Sequence, residues 1–171
     1  LGRMVHGCII RTFDQQDVVD FSNYGNIPTI NALTDEEHPC QILADLLTIK
    51  ETLGTWEGQK IVFIGDGDNN MSRSWIWAAK YLGFELVVAA PKSCQPPADF
   101  MAKVGAANVT LTDDPIAACT GADIINTDVW LSMGQEGQAE KEALFGDYQV
   151  NEALLSHAND GHIVLHCLPA Y

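Results

Sequence analysis

His38 and Gln41 stand three residues apart at the start of a helical pattern, which puts both side chains on one side of its first turn. A histidine there lies near the positive end of the helix dipole, which favours a neutral imidazole able to donate a hydrogen bond to a carbonyl oxygen. Gln41 beside it can bond to an amide. Arg11 follows an apolar run of strand length and carries the planar fork that clamps a phosphate. Asp128 closes another such run and offers a carboxylate to a ligand ammonium group, ahead of the pliable Ser132-Met133-Gly134. Asn69 and Asn70, at a predicted helix start, present amides suited to a zwitterionic or carboxylate-bearing ligand. Cys167 lies beyond a third run, beside His166, where nearby donors are expected to depress its thiol pKa. Each residue alone has an ordinary alternative: a capping histidine, a surface arginine, turn asparagines, an inert buried thiol.

The elements that must position these groups alternate. Strands are predicted at Val5 to Ile10, Ile27 to Leu33, Lys60 to Ile64, Glu85 to Ala90, Asn108 to Leu111, Ala122 to Thr127 and His162 to Leu165. Helices are predicted at Asp14 to Tyr24, 38–53, Ser72 to Leu82, Pro97 to Val104, Asp114 to Cys119 and Asn151 to His157, with a glycine-rich loop after Asp128. Pro28 restricts the second strand to an edge or its first residues. Pro39 suits a first helical turn, and Ile42, Leu43, Leu46, Leu47, Ile49 and Leu53 recur at helical spacing up to Gly54. This pace means an α/β fold of parallel sheets with helices on both faces. Helix 38–53 reads as a connector, giving one unit over 1–46, a connecting segment over 47–57 and a second unit over 58–171.

The chain has 171 residues, 47% of them hydrophobic, enough for a substantial core. It carries 23 acidic and 9 basic residues, a formal charge of -14, which disfavours nucleic acid or an anionic membrane surface as partner. An anionic ligand then needs a local positive pocket, which draws attention to Arg11 and Arg73. No apolar stretch approaches the roughly 18 residues that span a bilayer. Five cysteines without CxxC spacing argue against zinc and disulfide frameworks and for a reducing cytoplasmic setting. Gly65-Asp66-Gly67 after a strand is a weak dinucleotide signal, because position 70 is Asn70 and an acid sits inside the turn. With Leu1 first and Tyr171 last, the chain reads as an internal piece of a longer protein.

Taken together, the blocks resemble the ornithine carbamoyltransferases of the transcarbamoylase family over essentially the whole chain. The resemblance rests on Ile10-Arg11-Thr12-Phe13, Asn31 to Asp35 leading into His38-Pro39-Cys40-Gln41, Gly65-Asp66 with Asn69-Asn70, Thr127 to Gly134, Tyr148 to Asn151, and His166-Cys167-Leu168-Pro169-Ala170. His-Pro-x-Gln marks transcarbamoylases broadly, whereas the Ser-Met-Gly loop and His-Cys-Leu-Pro point to ornithine as acceptor. The resemblance implies the tail of a carbamoyl phosphate domain followed by most of a Rossmann-like ornithine-binding domain. It implies no cofactor and no metal, and assembly as a trimer or a multiple of trimers. It assigns Arg11, His38 and Gln41 to carbamoyl phosphate, and Asn70, Asp128, Ser132 and Met133 to L-ornithine. Cys167 and Leu168 fall where the two substrates meet, and Arg11, His38 and Cys167 are the catalytic set.

On this reading His38 and Arg11 polarise the carbamoyl carbonyl, Asp128 holds the α-ammonium of ornithine, and Cys167 assists loss of the amine proton. The family's phosphate-cradling Ser-Thr-Arg-Thr block is absent and would precede Leu1, so the isolated piece is expected to be inactive. The rivals are a carbamoyltransferase for another amine such as putrescine, and a non-catalytic amino-acid-binding relative.

Overall fold

Hydrophobic spacing and caps decide the elements. The structure, a computed structural model, describes residues 2–130 and 138–170. Strand β1 (Cys8–Arg11) pairs in parallel with β2 (Thr29–Leu33), joined by α1 (Gln15–Tyr24). Pro28 precedes β2, and its carbonyl accepts a bond from the Cys8 N–H. Helix α2 (Pro39–Leu53) has its proline in the first turn and ends at Gly54, whose φ of 84° suits glycine.

The second unit runs through β3 (Ile61–Ile64), α3 (Asn70–Leu82), β4 (Leu86–Ala89), α4 (Ala98–Val104), β5 (Val109–Thr112), α5 (Pro115–Cys119) and β6 (Ile124–Thr127). It continues with α6 (Gln138–Phe145), α7 (Glu152–Leu155) and β7 (Ile163–His166). Its five strands are parallel in the order β5-β4-β3-β6-β7. All four residues of β3 are buried, because a central parallel strand is covered on both faces. Ile61 and Phe63 join one core with Ile42, Ile49, Trp75, Ile76 and Val104, whereas Val62 and Ile64 join another with Ala118, Phe145 and Leu154. Helices α2, α3 and α4 thus cover one face, and α5, α6 and α7 the other. The expected fold class is what the structure has.

Two expectations need correction. Helix α3 starts at Asn70, two residues before the predicted Ser72, because the Asn69 side chain caps it by accepting from the Ser72 N–H at 2.8 Å. Helix α6 occupies part of the segment read as glycine-rich loop. Its run Gln138-Ala139-Glu140-Lys141-Glu142-Ala143-Leu144 consists of good helix formers, and the glycines before it masked the signal.

Gly67, after β3, is hemmed in. A Cβ there would meet the Cys94 carbonyl oxygen at 2.8 Å and the Pro96 ring at 3.1 Å. The turn therefore serves packing of two loops rather than close approach of a pyrophosphate. Gly67→Ala is expected to cost about 1–3 kcal/mol in urea unfolding of the full-length protein, and a change below the error of that measurement would contradict this packing role.

Candidate active site

The strand order reverses between β3 and β6. At such a point adjacent loops leave in opposite directions and open a crevice at the carboxyl ends of the strands. Asn69 and Asn70 follow β3, Asp128 follows β6, and Cys167 follows the neighbouring β7. The first turn of α2 brings His38 and Gln41 to the same region. The His38 N–H donates to Ser74 Oγ at 2.7 Å, and Ser74 Oγ donates to the Asn70 carbonyl at 2.7 Å. The start of α2 is thereby tied to the start of α3.

His38 occupies the cap position, yet its side chain makes no capping bond. Burial holds its imidazole below the usual histidine range, opposed by a hydrogen bond with the Ala32 backbone and assisted by the nearby Arg11 charge. The neutral form follows, as expected from the helix start. Its Nδ1 is shut off from solvent and has no partner among the described residues. Arg11 ends β1, exposed, just past a register shift between Ile10 and Arg11. Arg73, by contrast, is held by Asp68 through Nε and Nη2 at 2.9 and 2.8 Å and lies over the Phe100 ring, which removes it from the site.

Asp128 receives the Val129 N–H at 2.8 Å and the Asn69 amide at 3.3 Å. Burial pushes its carboxyl above the usual range; the Val129 bond and the His166 charge pull it down, and Asp66 adds to the rise. No lysine or arginine pairs with it among the described residues. Asn70 turns the other way, its amide donating to the Thr34 carbonyl at 2.9 Å. Gln41 donates to Asp45 Oδ1 at 3.0 Å, and Asn126 of β6 donates to the other oxygen at 3.2 Å. Burial raises the Asp45 carboxyl, and both amide bonds oppose that rise.

Cys167 overturns one expectation. Its thiol is pushed up to about 11 rather than depressed, first by burial and then by the Asp128 and Asp45 carboxylates, which outweigh Arg11. It is therefore a thiol at neutral pH. Alkylation of Cys167 by iodoacetamide near neutrality is expected to run about a hundredfold more slowly than that of an ordinary thiol, read by peptide mass spectrometry. A rate equal to that of free cysteine would refute the raised value. Leu168 is exposed, and its carbonyl lies 3.9 Å from Cys167 Sγ. Ser132 and Met133 lie outside the described residues.

Sequence reasoning missed Asn69 as the contact of Asp128, and Asp45 with Asn126 as a buried pair. Asp45 stands one turn after Gln41, and Asn126 is an amide inside an apolar central strand; both signals were present. A hollow lined by Trp56, Lys60 and Phe84 opens at the opposite, amino-terminal end of β3 and β4 and contains none of these groups.

A doubly wound parallel sheet with Asp128 and the amides of Asn69 and Asn70 at its switch point, linked by one helix to a second α/β unit, is an arrangement suited to a small polar ligand. The chain belongs to the aspartate/ornithine carbamoyltransferase family. The family's Asp/Orn binding domain profile matches residues 57–171, and its carbamoyl-P binding domain profile matches residues 1–51. An ornithine carbamoyltransferase of Akkermansia muciniphila is 61% identical, over 100% of this chain and 57% of its own length. The crystal structure of ornithine carbamoyltransferase from Gloeobacter violaceus matches with TM-score 0.87 and 41% identity, over 99% of this chain and 59% of its own. Ornithine carbamoyltransferase from Pyrococcus furiosus matches with TM-score 0.89 and 42% identity, over 99% and 56%. The chain thus spans about 57% of the length of the curated relatives it matches. No helix among the described residues is long and apolar enough to cross a membrane.

Proposed function

We propose that the whole protein carrying this chain transfers the carbamoyl group of carbamoyl phosphate to the side-chain amine of L-ornithine. The amine nitrogen bonds to the carbamoyl carbon, the bond from that carbon to the phosphate oxygen breaks, and citrulline and phosphate leave. The observation that carries the reading is convergence of segments far apart in sequence: Arg11 is the charged neighbour of both His38 and Cys167, and Cys167 neighbours Asp128.

Arg11, His38 and Gln41 hold carbamoyl phosphate. The neutral His38 ring, whose Nδ1 has no partner among the described residues, and the Arg11 guanidinium face the carbonyl oxygen, whose negative charge grows in the tetrahedral transition state. Asp128, half-buried and with no lysine or arginine paired to it among the described residues, takes the α-ammonium of ornithine. Asn70, Ser132 and Met133 hold the amino-acid end, with Asn69 orienting Asp128. The amine loses a proton as it attacks. Cys167, as a thiol, does not take it as a thiolate would, and lines the junction of the two substrates with Leu168. The proton leaves with the phosphate, whose oxygens are competent to accept it. The two units are a carbamoyl phosphate part over 1–46 and an ornithine part over 58–171, working in a cytoplasmic homotrimer in arginine-forming metabolism.

The test is citrulline formation by the full-length protein from carbamoyl phosphate, with ornithine and putrescine as competing acceptors. Turnover with ornithine is expected. Turnover with putrescine alone would sink the reading of Asp128, Ser132 and Met133, and no turnover would sink the transferase reading itself.

A further inference from the structure

Resting on the reading that Gln41 meets the carbamoyl group, we infer that Asp45 is a positioning residue which fixes the Gln41 amide with Oε1 turned to the carbamoyl NH2. Asp45 is 5% exposed and sits one helical turn beyond Gln41 on α2. Its Oδ1 receives Gln41 Nε2 at 3.0 Å and its Oδ2 receives Asn126 Nδ2 at 3.2 Å. An ionised carboxylate only accepts, so both amides must present their NH2 ends to it. The reversed amide would set two lone pairs against each other in a buried place.

Asn126 shows how strongly the carboxylate dictates this arrangement. It is fully buried, and turning its NH2 to Asp45 leaves Asn126 Oδ1 without a partner among the described residues. The orientation is held although a buried acceptor goes unpaired. For Gln41 the consequence is chemical. With Nε2 occupied, Oε1 is its remaining polar end, and an acceptor is what the NH2 of a carbamoyl group requires. Asp45 also ties α2 to β6, so the carbamoyl-facing amide keeps its register with the strand that Asp128 follows.

Donor and acceptor can be exchanged. Asp45→Asn alone sets an NH2 against one of the two amides and turns it over. Gln41→Glu alone sets two carboxylates side by side. Combined, the new amide at 45 donates to the new carboxylate at 41 and accepts from Asn126, and the second oxygen at 41 still faces the ligand. The experiment measures carbamoyl phosphate binding by calorimetry, and citrulline formation, in the full-length protein and these three variants. Asp45→Asn is expected to weaken carbamoyl phosphate binding about tenfold with Gln41 present, and to tighten it at least threefold in the Gln41→Glu background. Weakening in both backgrounds, or no effect in either, overturns the inference. Should Asp45→Asn alone fail to fold, Gln41→Glu with and without it decides the matter by the same sign. Wild-type protein that binds carbamoyl phosphate and shows the reversal without making citrulline supports Asp45 and refutes the proposed reaction. Wild-type protein that does not bind carbamoyl phosphate overturns both.

Discussion

His38→Ala is expected to lower kcat for citrulline formation by the full-length protein on the order of 10²–10³-fold, the usual effect of removing one positioned donor from a developing oxyanion. The size follows from the state of the ring. Burial and the Arg11 charge keep it neutral, so on the proposed reading it donates to the carbonyl without competing with Arg11 for the phosphate. Its bond strengthens as charge accumulates on oxygen, which places the loss in kcat and leaves the KM for ornithine within a few-fold of the wild type. The fold should not suffer, because the side chain makes no capping bond to α2. Steady-state kinetics beside thermal unfolding separate these effects. A kcat within threefold of wild type would remove His38 from the reaction.

Asp128→Asn is expected to cost a similar factor, on the order of 10²–10³-fold in kcat/KM for ornithine, as when one partner of a buried charge pair is removed. Here the loss falls on ornithine, and binding of carbamoyl phosphate is spared. The pH dependence carries a sign that tests the assignment. Burial holds the Asp128 carboxyl above the usual carboxylate range. On acidification it takes up a proton earlier than an exposed aspartate, and loses the charge that an ammonium group requires. The kcat/KM for ornithine should therefore fall as pH drops through that raised range, because this ratio reports groups of the free enzyme. In Asp128→Asn that acid limb should vanish. An unchanged limb in the variant would assign it to another group.

The alternating pattern already implied the parallel sheets, since a four-residue apolar run such as Ile61 to Ile64, lying between Gly58 and Gly65, is too short for a helix and fits a strand buried on both faces. Helix α2 was equally plain, with Pro39 at one end and Gly54 at the other. Strand order was not legible: nothing local in Ile124 to Thr127 says that it pairs with β3 rather than β5. The site was read as residue types and missed as contacts. Arg73 shows why, for a scarce cation in an acidic chain is a natural anion-binding candidate until Asp68 is found five residues away on the same helix start. Cys167 shows the same for electrostatics. Donors near it were expected, and the folded chain sets the Asp128 and Asp45 carboxylates there instead.

The place of β3 at the centre of the sheet has a consequence during synthesis. Of the five strands it is made first, and both of its edges are needed, one by β4 and the other by β6. About 60 residues separate Ile64 from Ile124, an interval of roughly 3–12 s at ordinary elongation rates. Throughout it, Ile61-Val62-Phe63-Ile64 has one row of backbone groups with no native partner, in an uncharged segment rich in β-formers. The strand that organises the crevice is thus also a vulnerable stretch of the nascent chain, and a slow ribosome lengthens its exposure.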